Sequence, residues 1–187
     1  MDIGYTEEQQ AMRTELRTYY ENLLDEKTVK ELSGSHGIGE APRRVWKKMC
    51  ADGWAGVGWP KAFGGQGRSA IEQFIFFDES MRAGAPVPML SLNTVGPTLM
   101  NFGSDQQKEF FLPKILKGDL HFCIGYSEPG AGTDLAALQT RAVRDGDVLT
   151  LRRGADEHLL RARLQVQRGL LAGLADPLQL QHRLALV

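Results

Sequence analysis

Hydrophobic residues recur at the spacing of one helix face through most of the first 120 residues. Thr6 and Gln9 stand three residues apart, as in a capping box. A run of apolar residues at helical spacing follows them: Met12, Leu16, Tyr19 or Tyr20, and Leu23. This pattern predicts an amphipathic first helix that begins behind Thr6.

Two more helices carry clear start and stop signals. Pro42 suits the first turn of a helix that ends at Gly53, with an apolar face and a basic, solvated opposite side. Ser69 and Glu72 form a second capping box, which opens an apolar helix ending near Gly84. Its apolar residues predict a central position in the domain: Phe74, Ile75, Phe77 and Met81.

Glycine and proline punctuate the remaining helical part. Trp54–Gly67 is rich in glycine and predicts an ordered loop with aromatic anchors. Leu90–Phe102 predicts a helix that is kinked at Pro97. A short capped helix, a further turn opened by proline and a closing glycine complete this part: Ser104 with Gln107, Pro113, and Gly118.

The apolar period changes near Leu120, where β-structure is predicted to begin. His121–Tyr126 predicts a strand. Gln139–Arg144 and Val148–Leu151 flank the turn Asp145-Gly146-Asp147, which predicts a hairpin. The predicted fold class is therefore mainly α, with a helical domain followed by the first strands of a β-domain.

The composition breaks after the predicted hairpin. Residues 151–187 contain eleven leucines and six arginines but no lysine and no aromatic residue. Their apolar spacing permits a terminal helix, and disorder is the equally weighted alternative; the helix would contain Leu160, Leu164, Leu171 and Leu174. Three segments are predicted: a helical domain at 1–120, an incomplete start of a β-domain at 121–150, and a divergent tail at 151–187.

Charge and composition exclude several classes of function. Lysine and arginine total 22 against 23 acidic residues, so we expect no binding to nucleic acid. No apolar run approaches the length of a membrane span or a signal peptide, which predicts a cytoplasmic protein. Cys50 and Cys123 lack metal-ligand spacing, so we expect free buried thiols and no metal site.

The segment Gly125–Asp134 is the one that indicates chemistry. Its glycines let backbone amides approach a ligand, and its hydroxyl residues can bind a phosphate or a polar ring edge. By itself a glycine-rich loop is more often a tight turn without a ligand. Its residue order, however, closely resembles the signature of the acyl-CoA dehydrogenase family, with Tyr126 in place of the usual aliphatic residue.

Three other segments agree with that family in order, so the resemblance covers roughly residues 3–147: the first helix, the loop from Trp54 through Gly64-Gly65-Gln66-Gly67, and Gly103–Lys108 ahead of Leu112-Pro113. The resemblance implies a helical domain beside a small β-domain, with a C-terminal four-helix bundle completing a site for FAD and acyl-CoA. It implies that Tyr126 and Ser127 meet the flavin ring, Ser127 through its hydroxyl. It also implies that Gly132 gives backbone access and that Thr133 lies near the phosphates of both the cofactor and the acyl-CoA substrate.

No catalytic residue is predicted in this chain. In the family the base is a glutamate of the C-terminal bundle, so the resemblance assigns Glu128 and Asp134 to the framework of the loop. The family's Asn-Gly-x-Lys segment after the hairpin is replaced here by Leu151-Arg152-Arg153-Gly154. We therefore expect a frame change or truncation near Val148 and a chain that is inactive by itself.

Two functions remain open from the sequence. In the first, the chain acts with homo- or hetero-oligomeric dehydrogenase subunits that supply the base, and FAD passes electrons to an electron-transfer flavoprotein or to oxygen. In the second, it is a non-catalytic helical fragment or protein-interaction module with exposed apolar faces. The loop Ala83–Asn93 resembles the corresponding loop of actinobacterial family members that handle steroid side-chain thioesters.

Overall fold

The computed structural model describes residues 4–35, 39–122, 130–139, 141–145, 148–152 and 162–165. The chain divides into two compact units, one formed by Met1–Gly103 with Lys108–His121 and the other by Ser104–Gln107 with Phe122–Val187. The domain boundaries expected at residues 120 and 150 stay a prediction.

Six α-helices lie in the described part of the chain, and they confirm the mainly α fold class: α1 Glu7–Leu23, α2 Glu26–Ser33, α3 Glu40–Ala51, α4 Ala70–Ala83, α5 Gly96–Phe102 and α6 Asp105–Leu116. None of the helices in the described ranges is long and apolar enough to cross a membrane.

The predicted capping boxes are present at the starts of α1 and α4. Thr6 accepts the backbone N–H of Gln9 and Ser69 accepts that of Glu72, while each N3 side chain binds the cap residue in return. Gly84 ends α4 in the left-handed region at φ 71°, where the absence of a Cβ removes the steric penalty. These helix boundaries therefore follow from local sequence, as predicted.

Helix α2 was not predicted. Asp25 caps it by accepting the N–H of Thr28, but none of its residues is buried. The helix has only eight residues, so its two apolar residues, Val29 and Leu32, are too few to establish a helical period, and the capping aspartate marks its start.

Two predictions about proline need correction. Leu90–Phe102 is not one kinked helix, because Leu90–Val95 forms a π-helical turn and Pro97 lies in the first turn of α5. Pro113 does not open a separate turn, since α6 continues through it. The fixed φ of proline is compatible with a helix, and the Pro113 carbonyl still accepts the N–H of Lys117 at 3.0 Å.

The core of the helical unit forms where α1 packs on α4. Ile75, Phe76 and Phe77 of α4 are buried, and the ring of Phe76 stacks on that of Trp54 with 6.2 Å between centroids. The expectation that α4 is central holds for the side of the helix that carries these three buried residues. Phe74 and Met81 are 57% and 67% exposed, because the apolar residues run around the helix and the helical unit covers one side.

The described strands form a three-stranded antiparallel sheet. β1 (Arg141–Asp145) and β2 (Val148–Arg152) pair with Asp145 opposite Val148, which confirms the predicted hairpin. β3 (Ala162–Gln165) pairs with the other edge of β2. The terminal-helix alternative is therefore wrong for Leu164, where pairing to β2 satisfies backbone hydrogen bonds that a helix would satisfy internally.

The strand predicted at His121–Tyr126 falls mostly outside the described residues. His121 and Phe122 have no regular secondary structure, and Cys123–Tyr126 are not described.

Candidate flavin and acyl thioester site

The described half of the signature segment is an open loop. Gly130, Gly132 and Thr133 are exposed, whereas Ala131 is 1% exposed and anchors the segment. A Cβ placed on Gly130 or Gly132 would meet no atom within 4 Å. The backbone amides beside these glycines are therefore accessible to a ligand from outside.

The exposed groups of this loop fit a polar cofactor. Thr133 offers a hydroxyl and the glycines offer free approach to the chain, a combination that binds phosphate without a formal charge. Tyr126 and Ser127, the residues predicted to meet the flavin ring, lie outside the described residues. The structure thus places Gly132 and Thr133 in one accessible loop, and the ligand roles of all four residues stay predictions.

Asp134 lies at the start of a short 3₁₀ helix, Leu135–Ala137, and its backbone carbonyl accepts the N–H of Ala137 at 3.2 Å. Its position at a helix start agrees with the expected framework role. The side chain is exposed to solvent. Glu128 is outside the described residues.

The glycine-rich loop of the helical unit is ordered, as predicted, and contains two 3₁₀ turns, Trp54–Gly56 and Lys61–Phe63. Backbone bonds close it on itself, with the Gln66 N–H donating to the Gly56 carbonyl at 2.8 Å. A Cβ on Gly65 would stand 2.1 Å from the carbonyl oxygen of Trp59. Glycine is therefore required at that position by close backbone approach.

The π-helical turn Leu90–Val95, called the π turn below, is the feature that sequence reasoning missed. The Trp59 indole Nε1–H donates to the Leu92 carbonyl at 3.0 Å, and a Cβ on Gly96 would stand 2.1 Å from the Trp59 ring. Such turns occur often at functional sites. The signal that could have indicated it is the sequence Gly96-Pro97, a glycine followed by a residue without an N–H.

Met89, which directly precedes the π turn, and Asn93 and Thr94 within it are exposed and form its outward side. Asn93 is tied to α4, because the Gln73 side-chain amide donates to its Oδ1 at 3.4 Å. Gln73 in turn accepts the backbone N–H of Gly58, where a Cβ would stand 2.6 Å from the Gln73 oxygen. The glycine-rich loop, α4 and the π turn thus form one connected surface.

A buried carboxylate fixes α1 to α4. Glu79 is 3% exposed and accepts the Arg13 Nε–H at 2.8 Å and the Arg17 Nε–H at 2.9 Å. The hydrogen bonds from Arg17 hold the pKa of Glu79 below its usual range despite the opposing effect of burial. The Tyr20 and Ser80 hydroxyls share a hydrogen bond of 2.6 Å. Burial raises the pKa of Tyr20 to about 12.

This cluster borders an open cleft of about 450 Å³ lined by Arg17, Tyr20, Leu24, Val29, Glu79 and Arg82 among others. The charge of Glu79 is compensated by the two arginines of α1. We therefore assign the cluster to helix packing.

The described part of the chain contains one of the two cysteines, Cys50. Cys50 is a free, half-buried thiol whose pKa is raised to about 12 by burial, so it is unreactive at neutral pH. Cys123 is outside the described residues. Within the described ranges no three histidine, cysteine or acidic side chains form a cluster able to hold a metal ion.

The chain belongs to the acyl-CoA dehydrogenase family, since residues 6–119 match the family's N-terminal domain. It is 56% identical over 150 residues to acyl-CoA dehydrogenase FadE26 of Mycobacterium tuberculosis, covering 79% of this chain and 38% of that protein. Acyl-CoA dehydrogenase FadE29 of the same organism is 54% identical over 149 residues, with 79% and 38% covered.

Solved structures agree. The ChsE4-ChsE5 complex from Mycobacterium tuberculosis matches with a TM-score of 0.74 and 54% identity, over 81% of this chain and 39% of that chain. The Tcur3481-Tcur3483 steroid ACAD matches with a TM-score of 0.74 and 51% identity, over 81% and 40%. The chain therefore spans about two fifths of the length of the relatives it matches.

Proposed function

We propose that this chain supplies the FAD-binding loop and part of the acyl-binding surface of an acyl-CoA dehydrogenase that acts in cytoplasmic lipid metabolism. The observation that supports this most directly is the open loop at Gly132 and Thr133, within a family signature. The proposal assigns the helical domain to residues 1–120 and the flavin-binding start of a β-domain to 121–150.

Each site residue has a separate role in this proposal. Tyr126 lies against the flavin ring, and the Ser127 hydroxyl donates to the electron-rich edge of the ring. Gly132 permits close approach of the backbone, and Thr133 binds phosphate of the cofactor and of the acyl-CoA thioester. When bound, FAD supplies the acceptor for the hydride that leaves the β-carbon of the acyl group. Neutral donors at its edge stabilise the negative charge that then develops.

The base comes from outside this set of residues. Proton abstraction beside the thioester carbonyl needs a desolvated carboxylate close to the substrate, and Asp134 is exposed. We assign the base to a glutamate of a further dehydrogenase domain or subunit, so that the chain by itself is inactive. Homo- or hetero-oligomeric subunits are the proposed partners, in keeping with the ChsE4-ChsE5 complex. An electron-transfer flavoprotein is the proposed electron acceptor.

The acyl group that fits best is a bulky, ring-bearing one. The relative Tcur3481-Tcur3483, at 51% identity, is a steroid ACAD. In this chain the outward side of the π turn presents Met89 beside two polar residues, Asn93 and Thr94. A mixed apolar and hydroxyl- or amide-bearing wall suits a large acyl group that also carries polar substituents.

A second function, a protein-interaction module without catalysis, is favoured by a different observation. Ile71, Phe74 and Met81 lie on one side of α4 and are more than half exposed, and Phe102 is also exposed. Exposed apolar residues of this kind mark association surfaces. A chain that is monomeric at high concentration and binds no hydrophobic dye would exclude this function.

Titration of FAD fluorescence with the purified chain tests the first proposal. Saturable quenching is expected, and Ser127→Ala and Thr133→Val should each weaken binding by roughly tenfold, the value of about one hydrogen bond. Thr14→Val is the matched control, because Thr14 is exposed on α1 and binds only the Gln10 carbonyl among the contacts described. Equal affinity in all four proteins, or no saturation in any, would contradict the proposal.

A further inference from the structure

The π turn depends on a donor from outside the helix. The Gly96 N–H bonds to the Ser91 carbonyl five residues earlier, as the π register requires. In the same register the Leu92 carbonyl would accept from residue 97, which is proline and has no N–H. The Trp59 indole supplies that missing bond at 3.0 Å, and both Trp59 and Leu92 are buried.

The alternative to the π turn is an ordinary α-helical turn. In the α register the Gly96 N–H would bond to the Leu92 carbonyl instead of the Ser91 carbonyl. The Trp59 bond satisfies the Leu92 carbonyl while the Gly96 N–H stays on Ser91, so it stabilises the π register relative to the α register. The ring also fits only against glycine, since a Cβ on Gly96 would stand 2.1 Å from it.

A change of register would alter the outward surface. One residue of an α-helix corresponds to a rotation of about 100°. A switch from π to α would therefore turn Met89, Asn93 and Thr94 relative to α5, and would strain the Gln73 bond to Asn93. The side chains available to a ligand on this surface are thus set by the hydrogen bond from Trp59.

We propose that Trp59 is a specificity-determining positioning residue, which holds the π turn so that Met89, Asn93 and Thr94 contact the bulky acyl group of the thioester. This inference rests on the proposed function. Trp59 itself stays buried beneath the turn and acts through it.

The test compares two tryptophan substitutions. Trp59→Phe keeps an aromatic ring and removes the N–H that binds Leu92. Trp46→Phe is the matched control, because the Trp46 Nε1–H is buried and has no hydrogen-bond partner among the described residues. NMR couplings across hydrogen bonds identify the acceptor of the Gly96 amide, and calorimetry compares a steroid side-chain CoA thioester with butyryl-CoA.

We expect the Gly96 amide to bond to Ser91 in the unsubstituted chain and in Trp46→Phe, and to Leu92 in Trp59→Phe. The preference for the steroid thioester should fall by roughly tenfold in Trp59→Phe and stay unchanged in the control. Gly96→Ala is the second variant, because its Cβ would stand 2.1 Å from the Trp59 ring and would displace the indole from the Leu92 carbonyl. It should change the acceptor of the residue 96 amide and lower the preference in the same direction, and it also serves as the test if Trp59→Phe does not fold.

If the Gly96 amide still bonded to the Ser91 carbonyl in Trp59→Phe, Trp59 would not be the residue that sets the register of the π turn. A changed acceptor with an unchanged preference would overturn its role in specificity. If the unsubstituted chain bound neither thioester, the proposed function would fail and the specificity role with it, and the NMR result would still show separately whether Trp59 sets the register.

Discussion

Substitution of Glu79 by glutamine should weaken the packing of α1 on α4, and it should lower the free energy of unfolding more than substitution of an exposed ion-pair residue does. The carboxylate makes three short bonds, to the Nε–H of Arg13 and to two N–H groups of Arg17, at 2.8–3.0 Å. Loss of one partner from a buried ion pair costs about 3–5 kcal/mol. Glutamine keeps one acceptor and Arg17 is 55% exposed, so we expect a loss of about 2–3 kcal/mol in the free energy of unfolding.

Urea denaturation followed by far-ultraviolet circular dichroism measures this loss, because the described helices α1 to α5 and most of α6 belong to the unit that contains this link. With a slope of about 2 kcal/mol per molar urea, the midpoint should fall by about 1–1.5 M. Asp78→Asn is the control on the same helix, since its partner Arg82 is exposed and solvent-screened ion pairs of this kind contribute little to stability. Equal midpoint shifts in the two variants would refute the assignment of Glu79 as the main polar link between these helices.

Acidification and two substitutions at other positions of the helical unit should also change its stability. Because the pKa of Glu79 is lowered in the folded chain, its contribution to stability is complete above the usual glutamate pKa and is lost as pH falls through the lower folded value. The urea midpoint of the unsubstituted chain should therefore drop on acidification, and that of Glu79→Gln should drop less. Gly65→Ala should cost at least 2 kcal/mol, roughly an overpacking penalty, because its Cβ would stand 2.1 Å from the Trp59 carbonyl oxygen; a stable Gly65→Ala chain in thermal unfolding would contradict the loop geometry. Ser69→Ala should cost about 1 kcal/mol through loss of the α4 cap, and an unchanged urea midpoint would exclude this.

Local signals in the sequence predicted the parts of the fold that depend on neighbours in the chain. The capping boxes at Thr6 and Ser69, and the pairing of Asp145 with Val148, each join residues only three apart in the sequence. A capping side chain and a tight turn are stabilised wherever they occur, so their residues can be read without knowledge of the tertiary structure.

Features that depend on distant residues were not predictable in the same way. The π turn requires Trp59, which is 33 residues from Leu92 in the sequence. Glu79 bonds to Arg17 and Arg13, which are 62 and 66 residues away in the sequence. The separate turn expected at Pro113 was wrong because proline is tolerated within α6. The helix considered through Leu164 was wrong there because a strand edge of β2 was available to pair with it.

The candidate site also contains residues that the sequence indicated and a feature that depends on distant residues. Gly132 and Thr133 were selected by resemblance, and the structure describes the open loop that such a role needs. The roles of Tyr126 and Ser127 stay predictions, as do FAD binding and the outside origin of the base. The π turn has no counterpart in the signature; the sequence resemblance at Ala83–Asn93 includes part of it, but its helical register was found from the structure.

The central claim is that this chain provides flavin contacts while the catalytic base lies elsewhere. The most direct test is the visible spectrum of the FAD-loaded chain, recorded without oxygen before and after addition of a steroid side-chain CoA thioester, with and without a co-purified dehydrogenase subunit. We predict a flavin spectrum that bleaches only when the subunit is present. Bleaching by the chain alone would place the base within it, and no flavin spectrum in either preparation would contradict the account.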